Sequence, residues 1–170
     1  MENSPSAVQL LSTYGTYFLV YHSKNASFKN FYPCLRALKR SAHEGNHHRA
    51  TYQFEYVIEG DIRKEEREVK TDKMDEAYPY DNELTVSLQR EGTPELQDWQ
   101  IIYTDYTSCV VFSSWNLGYQ VWVKAEYLRM YRGVPKVCAL VYELLAWKKK
   151  HAVYNWRRCA IEGTNQHPGS

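Results

Sequence analysis

From Thr51 to Ile58 apolar and polar residues alternate. Tyr52, Phe54, Tyr56 and Ile58 fall on one face and Gln53 and Glu55 on the other, the two-residue period of a half-buried strand. Leu84, Val86 and Leu88 repeat the pattern, as do Trp99, Ile101 and Tyr103. Three shorter runs, Tyr17 to His22, Val110 to Phe112 and Tyr119 to Val123, are aromatic and β-branched; a turn-like stretch from Ser113 to Gly118 separates the last two. Asp61 to Lys70 mixes both signs of charge and reads as a solvated strand. Turn residues punctuate the chain at Glu59-Gly60-Asp61, Tyr78-Pro79-Tyr80-Asp81-Asn82 and Glu91-Gly92-Thr93-Pro94.

Two segments leave this period. Ser4 to Ser12 can form a short helix, with Pro5 tolerated in its first turn. After Gly133 the spacing turns helical: Pro135 suits a first helical position, and Val137, Leu140, Val141, Leu144 and Leu145 recur every three or four residues as the apolar face. Lys148, Lys149 and Lys150 are expected in its last turn, where cations complement the helix dipole. The order is therefore a short helix, about eight strands and one amphipathic helix, without the strand–helix alternation of a parallel sheet. The fold expected is an all-β, eight-stranded antiparallel barrel enclosing one small ligand, with the C-terminal helix packed outside; a filled β-sandwich has the same periodicity.

The length, 170 residues, suits one domain over 1–170, with 1–4 and 161–170 expected to be flexible. Its 21 Lys and Arg against 20 Asp and Glu leave a formal charge of +1, which argues against nucleic acid as the partner. No apolar run approaches the ~20 residues of a membrane span. Residues 1–6 show no basic stretch leading into an apolar core, so no signal peptide is expected in the sequence as it stands. The excess lies in 15 Tyr, 5 Trp and 5 Phe, rings that can line a pocket. Cys34, Cys109, Cys138 and Cys159 form no Cys-x-x-Cys pair; the set fits two disulfides of a secreted domain, with three pairings open, or four reduced thiols of a cytosolic one. Asn25-Ala26-Ser27 is a glycosylation sequon at Asn25.

Chemistry is sparse. There is no nucleophile elbow, phosphate loop or paired-histidine zinc motif. His43, Glu44, His47 and His48 could form a metal cluster, but their polar surroundings read as a hairpin turn. Lys148 to Lys150 with Arg157 and Arg158 make a basic end explained by solubility. No nucleophile, base and orienting group converge, so no enzyme, metal or cofactor is expected.

Tyr103-x-Asp105-Tyr106-x-x-Cys109, then Gly118-Tyr119-Gln120-Val121-Trp122-Val123, then Val134-Pro135-x-x-Cys138 opening a helix, resemble the salivary lipocalins of ticks, the histamine-binding protein family. Tyr17 to Ser23 and Pro33-Cys34-Leu35 fit its first two strands, and the likeness spans about residues 5 to 160. The resemblance implies secretion in saliva, a monomeric barrel without catalysis, and disulfides Cys34–Cys159 and Cys109–Cys138. It also implies that amine-binding relatives carry inward carboxylates where this chain has Val110 and Gln120, while Trp122 keeps their aromatic residue. A buried ammonium without a carboxylate is costly. The pocket expected from Tyr17, Leu19, Tyr21, Phe54, Tyr103, Val110, Phe112, Gln120 and Trp122 therefore suits a mainly apolar ligand. Within the family the chain looks closest to japanin-type members, which implies a sterol-like ligand and an effect on host immunity; fatty acids and eicosanoids are further ligand classes. One alternative is a histamine or serotonin scavenger with a relocated carboxylate from Glu55, Glu66, Glu68 or Asp105. Another is an immune-cell protein binder that presents Trp115, Tyr127 and Tyr131 on the barrel as scaffold.

Overall fold

The structure is a computed structural model and describes residues 5–24, 32–43, 46–73, 75–78, 81–90 and 93–159. The sequon at Asn25, Glu44, the side chains of His43 and His47, and the two chain ends lie outside the described residues. Ser6 caps α1 (Ala7–Leu11), its hydroxyl accepting from the Gln9 N–H at 3.2 Å. The barrel strands follow: β1 (Thr16–His22), β2 (Arg36–His43), β3 (Asn46–Ile58), β4 (Asp61–Asp72), β5 (Glu83–Arg90), β6 (Thr93–Thr104), β7 (Cys109–Ser114) and β8 (Gly118–Lys124). Each pairs antiparallel with the next, and β1 bonds to both β8 and β2, so the sheet closes on itself and leaves no free edge in the wall. The two helices α2 (Ala125–Tyr131) and α3 (Lys136–Ala146) come after β8, and a two-residue strand, β9 (His151–Ala152), returns to pair with β1.

Two cores result, one on each side of the wall. Inside are Leu19, Phe54, Trp99, Val110, Phe112 and Trp122; outside, beneath α3, are Phe18, Tyr21, Val111, Val121, Val123 and Tyr142. This is why β7 and β8 read as unbroken apolar runs: both of their faces are covered. The polar face of β3 is buried as well. Gln53 and Glu55 lie outside the wall, where the Arg36 guanidinium donates to Glu55 Oε2 at 2.7 and 3.2 Å and Gln53 Nε2 donates to Glu55 Oε1 at 2.7 Å. A buried carboxylate is tolerated here because each of its oxygens has a donor.

The buried side of α3 is largely the reverse of the side its spacing predicts. Cys138, Tyr142 and Ala146 face the barrel, while Val137, Leu140, Leu144 and Leu145 are exposed; Val141, also on the expected face, is partly buried against the outer core. The disulfide Cys109–Cys138 ties α3 to β7, and in a helix the residues four and eight after Cys138 share its face. Lys148 to Lys150 are likewise not in the last turn, because α3 ends at Ala146 with Trp147 as its cap at positive φ. A second disulfide joins Cys34 to Cys159.

Candidate functional site

One end of the barrel is closed by α1, anchored by the Ala7 N–H on the Asp81 carbonyl at 2.9 Å and by Lys39 Nζ on the Leu11 carbonyl at 2.5 Å. Above it lies a cavity of about 60 Å³ inside the barrel. Leu10, Thr13 and Tyr17 border it near the closed end, and Ala37, Tyr52, Phe54, Val69, Leu84, Val86, Trp99, Val110, Phe112 and Trp122 form its walls. The rings meet edge-on or tilted, with centroids 5.5 Å apart for Trp99–Phe112, 5.8 Å for Trp99–Trp122 and 6.5 Å for Phe54–Trp122.

The polar groups of this wall are mostly committed to one another. The Trp122 indole N–H donates to Gln120 Oε1 at 2.8 Å, and Gln120 Nε2 donates to the Ser114 hydroxyl at 3.0 Å. An indole only donates, so this chain fixes which way the Gln120 amide points. Gln120 is fully buried and opposite Phe112, and Val110 is opposite Trp122; all four face inward. The Tyr17 hydroxyl is buried in this wall, with the Thr13 side chain as its polar neighbour. Burial also pushes the Tyr17 and Tyr52 phenols up, so both are neutral hydroxyls at physiological pH.

Tyr17, Phe54, Val110, Phe112 and Trp122 thus meet around the cavity, with Leu19 and Gln120 in the same inner layer. Tyr21 and Tyr103 do not join them. The β1–β8 register shifts between Leu19 and Tyr21, and the β6–β7 register between Ile101 and Tyr103. A bulge of one residue moves every later side chain to the opposite face. Tyr21 consequently stands outside, edge-on to Tyr142 with centroids 4.6 Å apart, and Tyr103 packs in the same outer layer. Tyr52, Val69, Leu84, Val86 and Trp99 belong to the cavity although they were not among the expected residues; the alternation of β3, β5 and β6 was the signal that could have found them.

The carboxylates considered for an amine do not reach the cavity. Glu55 is outside with Arg36, and Glu66 and Glu68 are in register with Gln53 and Thr51 on the outer face. Asp105 closes its own turn, accepting from the N–H groups of Thr107, Ser108 and Cys109 at 2.9, 2.7 and 3.1 Å. Burial opposes its charge, but these bonds and the Ser108 hydroxyl together hold its pKa below the usual range. One carboxylate of the described residues that does face inward is Glu65, on the face of β4 that alternation assigns to Val69. It is held by Arg67 at 2.9 Å and by the Tyr56 hydroxyl at 3.2 Å. β4 is therefore only half solvated. Among the described residues no group of three metal ligands converges; His48 instead contacts Thr71 and Asp81 at 2.8 and 3.0 Å. No helix among them is long and apolar enough to cross a membrane.

Solved structures share this architecture at low sequence identity. The serotonin complex of AM182 is 15% identical, covering 91% of this chain and 92% of that one, with a TM-score of 0.69. Insecticyanin from the tobacco hornworm, Manduca sexta, is 12% identical over 92% and 85%, with a TM-score of 0.65. The siderocalin Ex-FABP is 13% identical over 86% and 95%, with a TM-score of 0.55. At such identities the likeness establishes the lipocalin-like barrel and nothing finer. No curated protein matches in sequence. The profile of the tick histamine binding protein matches residues 2–160. That match spans both disulfides and every element of the barrel, and the chain belongs to the tick histamine-binding protein family.

Proposed function

We propose that the protein is a secreted, non-catalytic binder that captures one small, mainly apolar molecule inside its barrel. The observation that carries this is the inner face of β7 and β8. Val110 and Phe112 are apolar there, and the polar groups of Gln120 and Trp122 are spent on each other and on Ser114. A cation placed against this wall would lose its hydration without gaining a counter-charge. Tyr17 and Tyr52, both in the cavity wall, supply hydroxyls for a ligand's polar end. Space selects among the lipid classes. A water needs roughly 10–15 Å³, so the cavity as it stands holds a few small groups. A slim acyl chain, as in a fatty acid or eicosanoid, displaces less wall than a fused sterol. Two disulfides suit the oxidising space outside the cell, where stoichiometric capture of such a mediator would modulate a host's inflammation or immunity.

The amine reading has one observation in its favour, the inward Glu65, but Arg67 already neutralises it. Native mass spectrometry of unextracted protein, followed by calorimetry with a fatty acid, cholesterol, histamine and serotonin, separates the readings. Submicromolar affinity for the acyl ligand, about −8 kcal/mol or better, is expected. Tyr17→Phe should weaken it on the order of tenfold while changing the stability of the fold by no more than about 1 kcal/mol. Tight binding of either amine and none of the lipids would sink the proposal.

A further inference from the structure

We propose that the outer face of α3 docks on an anionic lipid surface. Only Lys136 and Glu143 are charged among the eleven residues of this helix. A helix apolar on every side is ordinarily covered on every side. Here one side alone is covered. Tyr142 is fully buried, whereas Val137 is 51% exposed, Leu140 58% and Leu144 74%. At 100° per residue these three lie across the helix axis from Tyr142, in a row about 11 Å long. Trp147, 74% exposed, stands at the end of the row.

The face cannot roll inward to hide. The disulfide Cys109–Cys138 bolts the opposite side to β7, and the Tyr142 ring is set against Tyr21. The Tyr142 hydroxyl donates to the Lys149 carbonyl, which also fixes the segment beyond the helix. An apolar row held permanently in water marks an interaction surface.

Charge selects the occupant. Lys136 stands at one end of the row and Lys148 and Lys149 just beyond the other, and none of these three makes an ion pair among the described residues. The helix's sole carboxylate, Glu143, is neutralised by Lys150 at 3.5 Å. In a symmetric pair of two such helices, lysines would meet lysines: Lys136 against Lys148 and Lys149 if antiparallel, or like against like if parallel. A second copy is therefore disfavoured. An apolar stripe ending in Trp and flanked by lysines suits the plane of an anionic membrane, where rings and aliphatic groups sink to the headgroup level and each lysine gains from the surface potential. This surface lies on the far side of the barrel wall from the cavity, so it is independent of the ligand inside.

The test is flotation of the full chain, disulfides intact, with vesicles of phosphatidylcholine alone and of phosphatidylcholine mixed with phosphatidylserine. Binding is expected to the mixed vesicles only, weakening as salt is raised. Leu140→Ser with Leu144→Ser should lower it at least roughly tenfold, because the apolar anchor is removed. Lys148→Gln with Lys149→Gln should lower it on the order of tenfold. All four side chains are exposed, so unchanged circular dichroism and melting are expected of both variants. A blue shift of tryptophan emission on binding should shrink in Trp147→Phe. Equal binding to neutral vesicles, binding to neither, or unaltered binding of the leucine variant overturns the proposal. So does a wild-type dimer in sedimentation equilibrium that the leucine variant converts to monomer.

Discussion

Gly118 turns the chain between β7 and β8 at φ +66°, and a Cβ there would collide with the Ser23 hydroxyl. Gly60 turns β3 into β4 at φ +82° with nothing within 4 Å. Both positions strain an L side chain, but only the first also meets an obstacle. Gly118→Ala should cost about 2–3 kcal/mol and Gly60→Ala about 1 kcal/mol, read from urea midpoints. His22 makes a second prediction at this scale. Burial holds its imidazole down, to about 4, and the neighbouring His151 adds to the effect. An unfolded histidine titrates near 6.5, so between pH ~6.5 and ~4 the unfolded chain binds a proton that the folded one refuses. The stability present above about pH 6.5 is therefore lost as pH falls to about 4, by on the order of 2–3 kcal/mol. Urea melts at neutral and acid pH should show that loss in the native chain and a smaller one in His22→Gln.

At the scale of elements, α3 puts sequence periodicity and tertiary contact in direct opposition. Leu144 belongs to the apolar row by spacing, and Tyr142 is the residue that is buried. Tyr142→Ala should cost about 3–5 kcal/mol, whereas Leu144→Ala should cost less than about 0.5 kcal/mol. Thermal or urea denaturation of the two variants checks this; equal effects would mean that the helix docks by the face its spacing suggests. Tyr21 and Tyr103 show the same gap between pattern and contact. Both obey the alternation of their runs, yet a single bulge in each strand puts them on the far side of the wall. Nothing in the residue types announces a bulge, because its benefit lies in curvature that only the closed barrel requires. By contrast, the β3–β4 and β7–β8 pairings that hold Phe54, Val110, Phe112 and Trp122 have no shift, and there alternation and structure agree.

Across the whole molecule, the two disulfides act on very different spans. Cys109–Cys138 closes 29 residues and Cys34–Cys159 closes 125. If chain entropy dominates, replacing the first pair by Ala should cost about 3–4 kcal/mol and the second about 5 kcal/mol, measured by denaturant titration of each double variant. The shorter bridge also sets the rotation of α3, so its loss should in addition expose Tyr142 to solvent, visible in near-ultraviolet dichroism. The number of strands, the closed antiparallel architecture and the aromatic character of the interior were all legible along the chain. Burying one face of a strand forces a two-residue period on its sequence, whatever it packs against. The residues themselves could not say that the polar face of β3 is buried around Arg36 and Glu55, that Glu65 points inward with its own cation, or that α3 turns its leucines outward. Each of these depends on which partner stands opposite, and partners are chosen by register, bulges and cross-links between residues far apart in the chain.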